Sequence, residues 1–70
     1  MRRYYFHVRN GVHSLDDEVG EVHGAVEAAN AKAQQIAREL AQEPETYRGY
    51  GVIVTDEGGN TIADVMIIAE

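Results

Sequence analysis

Arg3-Tyr4-Tyr5-Phe6-His7-Val8-Arg9-Asn10-Gly11-Val12-His13-Ser14-Leu15 is the stretch whose reading decides the fold. Residues 4–8 are aromatic and β-branched, the composition of a strand. Asn10-Gly11 follows, a pair that accepts positive φ and signals a two-residue type I′ hairpin turn. With that pair at the turn centre, Arg9 faces Val12, Val8 faces His13 and Phe6 faces Leu15. Cross-strand partners share a face. Tyr4, Phe6, Val8, His13 and Leu15 then form the more apolar face, expected to point to the core. Tyr5, His7, Arg9, Val12 and Ser14 form the other. A slip of one residue in the pairing would exchange the faces.

Beyond the hairpin, Asp16-Asp17-Glu18 with Gly20 and Glu21 reads as an acidic connector that runs on into Val22 and His23. Gly24 is a tolerable helix N-cap, and Glu27 follows where a first-turn carboxylate meets the helix dipole. From residue 25 to about residue 42 the spacing is helical: Val26, Ala29, Ala33, Ile36, Ala37 and Leu40 make one stripe. Alanines at 29, 33, 37 and 41 let such a helix lie close on a sheet. Pro44 disfavours helical geometry at Glu43 and ends the run. Residues 46–51 read as a turn-rich linker holding two tyrosines. Residues 51–55 and 61–68 are the last two strands, joined by Asp56-Glu57-Gly58-Gly59-Asn60. Their expected core residues are Val52, Val54, Ile62, Val65 and Ile67. The change of parity between Ile62 and Val65 requires a bulge.

A chain of 70 residues is one domain near the lower limit for independent folding. It has no cysteine, so neither a disulfide nor a thiolate site can staple it. No apolar run approaches the roughly 18 residues that span a bilayer. Arg2 and Arg3 mimic the start of a signal peptide, but His7 interrupts a following run already too short for one. The expectation is a soluble cytoplasmic protein. The formal charge is −6, and the body of the chain carries the acids. Such a surface repels phosphate backbones and anionic lipid. Only Arg2, Arg3 and Arg9 stand apart from it.

The chemistry-bearing residues give little. His7, His13 and His23, with Asp16, Asp17 and Glu18, are the candidate metal donors, but zinc needs three or four that converge. The hairpin puts His7 and His13 on opposite faces, leaving only His13 or His23 with a connector acid. Ser14, the only serine, falls opposite His7 in the I′ register, yet no oxyanion site accompanies it. Asp16/Asp17 and Asp56/Glu57 are loop neighbours, without the desolvation that general acid–base work requires. Neither Gly49-Tyr50-Gly51 nor Gly58-Gly59 leads into a helix with a lysine, so there is no phosphate loop. An outward row of Tyr5, His7 and Arg9 has the stacking and basic groups of a single-strand RNA platform, opposed by the net charge.

Arg3-Tyr4-Tyr5-Phe6-His7-Val8-Arg9-Asn10-Gly11, Asp17-Glu18 with Gly20, Glu27-Ala28-Ala29 with Ala33, and Val54-Thr55-Asp56-Glu57-Gly58-Gly59 together resemble a family of short proteobacterial proteins common in rhizobia. Its members open with R-Y-(F/Y)-F-H-(V/L)-R-(D/N)-G and carry a late V-T-D-E-x-G. The family is a domain of unknown function, so the resemblance implies a folding unit and a bacterial source, not an activity. Many members have a proline and an aspartate or serine before the helix, where this chain has Val22-His23-Gly24. A weaker similarity is to HicB-type antitoxins, which share an aromatic first strand, an acidic connector and an E-A-x-x-x-A helix, here Glu27-Ala28 with Lys32-Ala33. It implies an acidic module that neutralises a basic partner.

The expectation is therefore an α+β domain over residues 1–70: strand-strand-helix-strand-strand, an antiparallel sheet with one long helix packed on one face. The other face would carry Tyr5, Ile53, Met66 and Ile68 beside His7 and Asp64, too apolar to be fully wetted. A homodimer, packed sheet on sheet or edge to edge, follows. The expected function is a non-catalytic interaction or regulatory module without cofactor or metal, whose candidate interaction surface is Tyr5, His7 and Arg9. Nucleic-acid binding through that row and toxin neutralisation are the alternatives.

Overall fold

The computed structural model describes residues 1–68. The elements are β1 (Arg2–Arg9), β2 (Ser14–Leu15), β3 (Glu21–His23), α1 (Val26–Leu40), α2 (Pro44–Tyr47), β4 (Gly51–Thr55) and β5 (Thr61–Met66). They form an α+β fold in which every strand pairing is antiparallel. The sheet order is β2-β1-β4-β5, and β3 also pairs with β1. β3 takes Arg2–Tyr4 and β2 takes Val8 and Arg9, so the two short strands lie end to end along one edge of β1. Residues 16–20 bridge them.

β1 alternates as its sequence implies. Phe6, Val54 and Ala63 form one cross-strand row, and Val8, Val52 and Val65 the next. This is the face that α1 covers, through Ala29 and Ala33, which are wholly buried, and Ala37. Small side chains at that spacing let the helix axis approach the sheet. Tyr4, Phe6, Val52, Val54 and Ile67 complete the buried core, with Ile36, Leu40 and Ile62 packed at its margin. The expected parity change in β5 is present. Val54 pairs with Ala63 and Thr55 with Thr61, so Ile62 is the extra residue of a bulge and still packs against the core.

The other sheet face has the rows Tyr5-Thr55-Thr61, His7-Ile53-Asp64 and Arg9-Gly51-Met66.

Several expectations need correction. The first turn is centred one residue later: Arg9 pairs with Ser14 and Val8 with Leu15. Asn10 stays outside the left-handed region; its Oδ1 instead accepts the backbone N–H groups of Val12 and His13, and Gly11 supplies the positive φ of +91°. Moving the centre by one moves the pairing by two, so the faces survive. Leu15 keeps its side but not its burial: it is 58% exposed, because α1 packs over β3, β4 and β5 and leaves β2 uncovered. Ser14 stands opposite Arg9, not His7.

Val22-His23, read as connector, belongs to β3 and adds a strand to the expected four. The helix is N-capped by Ala25, without a side-chain bond, rather than by Gly24, and Val26 is exposed. Pro44 does more than end α1: it opens α2, where the missing N–H of a proline at the first turn is harmless. That short helix brings Tyr47 edge-on to Tyr50, ring centres 5.7 Å apart.

Candidate functional site

The ladder along the outer edge of β1 is interrupted between β2 and β3, where Phe6 N–H would have no strand partner. Asp17 fills the gap. Its Oδ2 accepts Phe6 N–H at 3.2 Å, and its Oδ1 accepts Val19 and Gly20 N–H, both at 3.0 Å. A side chain here replaces a strand residue and at the same time closes its own loop. Gly20 makes this possible. Its φ is +73°, and a Cβ on it would lie 2.8 Å from the Tyr4 carbonyl oxygen. No L side chain fits there without moving β1. Arg3 Nη1 donates to Val19 O at 2.8 Å and ties the loop down from above.

His7 lies under this connector. It is 8% exposed and Thr55 is 9% exposed. The two side chains are bonded, His7 Nε2 to Thr55 Oγ1, at 3.0 Å. Asp17 N–H donates to His7 Nδ1 at 3.1 Å. A ring nitrogen that accepts carries no proton, so the neutral ring has its hydrogen on Nε2 and donates it to Thr55. Tyr5 stacks beside His7, ring planes 10° apart and centres 6.4 Å apart. Arg9 is exposed but engaged: Nε donates to Ser14 Oγ at 2.9 Å, and Nη2 lies 3.2 Å from Asp16 Oδ1. The Ser14 hydroxyl donates to that same Asp16 oxygen.

The carboxylates follow this bonding. The Ser14 hydroxyl and the Arg9 guanidinium hold the Asp16 carboxyl below the usual carboxylate range. For Asp17, burial pushes upward, but the N–H groups of Gly20, Phe6 and Val19 outweigh it, and the net displacement is downward. Asp56 is lowered by the Asn60 backbone N–H and side chain, with Gly58 N–H adding to them. It organises the β4–β5 turn as Asp17 organises the connector.

The row Tyr5, His7, Arg9 thus lies on the sheet face away from α1, as its sequence parity implies. Tyr5 is half-buried, His7 is buried, and Arg9 is bonded within its own chain. Arg2 and Arg3 border a shallow concavity with Asp56, Glu57 and Gly58; of the arginines of β1, Arg3 and Arg9 bond oxygens of the protein itself. His23 sits on the opposite face against Tyr4 and Phe6, with Nε2 3.3 Å from Glu21 Oε1 but outside hydrogen-bond geometry. Among the described residues no three His, Asp or Glu side chains converge as a metal site, and no helix is long and apolar enough to cross a membrane.

Periodicity could not reveal the far edge of the sheet. Among the described residues, β5 has β4 on one side and no strand on the other. Met66 and Ile68 are 61% and 78% exposed there. They border an open groove of about 210 Å³ whose other wall is α1, with Ala37, Arg38 and Ala41.

No curated protein and no solved structure matches the chain. The opening strand, Asp17 with Gly20, and the Asp56 turn each have a place in the frame just described. Residues 3–69 match DUF6894, a domain of unknown function, and the chain belongs to that family.

Proposed function

We propose that this domain is a non-catalytic interaction module that associates with a second copy of itself through β5. The open β5 edge, flanked by exposed Met66 and Ile68, carries this reading. An edge strand offers unpaired N–H and C=O groups, and monomeric proteins blunt such edges with charged side chains, proline, bulges or a covering segment. β5 reads Thr-Ile-Ala-Asp-Val-Met, with Asp64 its single charge and the Ile62 bulge near its start. Antiparallel pairing of two β5 strands about a two-fold axis would extend the sheet and cover the apolar pair. A non-catalytic role is supported by the Ser14 hydroxyl, which serves Asp16 rather than His7. Nucleic-acid binding through Tyr5, His7 and Arg9 is the weaker alternative, because His7 is buried and Arg9 is already engaged by Ser14 and Asp16.

Light scattering at about 50 µM tests the proposal by a mass of two chains. The double substitution Met66→Lys with Ile68→Lys places four like charges in the interface and should return the mass of one. A single-chain mass for the unaltered protein removes the proposal.

A further inference from the structure

We infer that His7 is an acid-operated latch that fastens the connector, residues 16–20, over the outer edge of β1. His7 and Thr55 are the buried polar side chains among the described residues, and the two ring nitrogens have opposite tasks. Nε2 donates to Thr55 on β4, and Nδ1 accepts Asp17 N–H from the connector. Adding a proton leaves the first bond intact. At Nδ1 it replaces an acceptor by a donor and sets N–H against N–H. A carboxylate oxygen stands within reach, Asp16 Oδ1, 3.7 Å from Nδ1 and already held by Ser14 and Arg9. The charged ring therefore exchanges the Asp17 amide for the Asp16 carboxylate.

The exchange acts beyond the ring because Asp17 has two attachments to β1. Its amide meets His7, and its carboxylate holds Phe6 N–H. Letting go of the first loosens the second, and the β1 ladder opens where β2 and β3 fail to meet. The groups around the ring are accounted for. The connector presents Asp16 and Asp17. β1 presents Tyr5 in the stack and Arg9 through Asp16. β4 presents Thr55 and Ile53, which do not titrate, and Asp64 of β5 shares the His7–Ile53 row. Both connector carboxyls are held below the usual carboxylate range by their own hydrogen bonds. The latch does not depend on self-association through β5.

Nuclear magnetic resonance on the full chain, from about pH 8 to about pH 5, tests it. Imidazole nitrogen shifts should show the Nε2–H tautomer at the upper end. As His7 charges, protection of the Asp17 and Phe6 amides, corrected for intrinsic exchange, should fall roughly tenfold, the effect of losing about one hydrogen bond. The Val54 amide should keep its protection. His7→Asn retains an acceptor near the Nδ1 position and cannot titrate, so its Asp17 protection should be flat over the range. An Nδ1–H tautomer, or Asp17 protection that stays constant while His7 titrates, overturns the latch. So does a wild-type pH response in His7→Asn. The tautomer measurement stands even if that variant does not fold.

Discussion

The two edges of this sheet are treated in opposite ways. On the β1 side, a connector of five residues carries Asp17 into the gap, Gly20 lets it lie against the strand, and Arg3 and Arg9 bind it at either end. On the β5 side, nothing comparable is present among the described residues, and apolar side chains stand exposed beside the free strand. One edge is closed by charge-assisted bonds to backbone N–H groups, the other left open with a nearly uncharged strand. The proposed self-association rests on this contrast, since an open edge is where a further strand can pair.

Removing the plug is the strongest way to break this contrast. Asp17→Ala strands Phe6 N–H and undoes the loop's own caps. It should lower unfolding free energy by about 2–3 kcal/mol in urea denaturation, the range for an orphaned amide and lost charge-assisted bonds. A loss under 0.5 kcal/mol would mean that water replaces the carboxylate and the edge was never closed by it.

Gly20→Ala attacks the same edge through sterics. The left-handed conformation alone disfavours alanine by about 1–2 kcal/mol, and the 2.8 Å approach to Tyr4 O adds displacement of β1. Gly11→Ala is the control: its φ is also positive, but nothing lies within 4 Å of the added carbon. The Gly20 variant should melt below the Gly11 variant, and equal melting points would show that the connector simply moves away.

Acid should weaken the closed edge next. Asp17 is lowered in the folded chain, so the folded state binds fewer protons than the unfolded one as pH falls through the carboxylate range. Its contribution is complete above the ordinary carboxylate pKa and is lost below it, down through the lowered folded value. Asp16 and Asp56 have the same sign, moderated by their exposure to solvent. Asp17→Asn should flatten the dependence of the urea midpoint on pH in that window. An unchanged slope would place the effect on the other two.

Least of all should the open edge affect the isolated fold. Met66→Lys with Ile68→Lys should shift monomer stability by no more than about 0.5 kcal/mol, as exposed substitutions do, while abolishing the two-chain mass. A large loss of stability would show these side chains to be part of the core.

Much of the frame was legible because it is periodic. Alternation gave Tyr4, Phe6 and Val8 their face, the helical stripe gave Ala29, Ala33 and Ala37 theirs, and Ile62 against Val65 announced the bulge. What escaped is not periodic. β3 has three residues, too few for a pattern. Asn10 acts through its side chain, whereas the Asn-Gly signal assumes that its backbone turns. The burial of His7 depends on Asp17 drawing the connector across it, which no local spacing encodes. Of the candidate row, parity found the face but not the cover, and the β5 edge emerges only from the strand order.

β1 is both the first strand in the chain and an interior strand of the sheet. Its bonds to β4 reach across the helix, His7 to Thr55 spanning 48 positions. A chain lengthening from its N-terminus holds an aromatic strand whose principal neighbour does not yet exist, and the alanine stripe has no floor to rest on until β4 arrives. Order therefore comes late and together, its pace set by closing that long loop rather than by the speed of the helix.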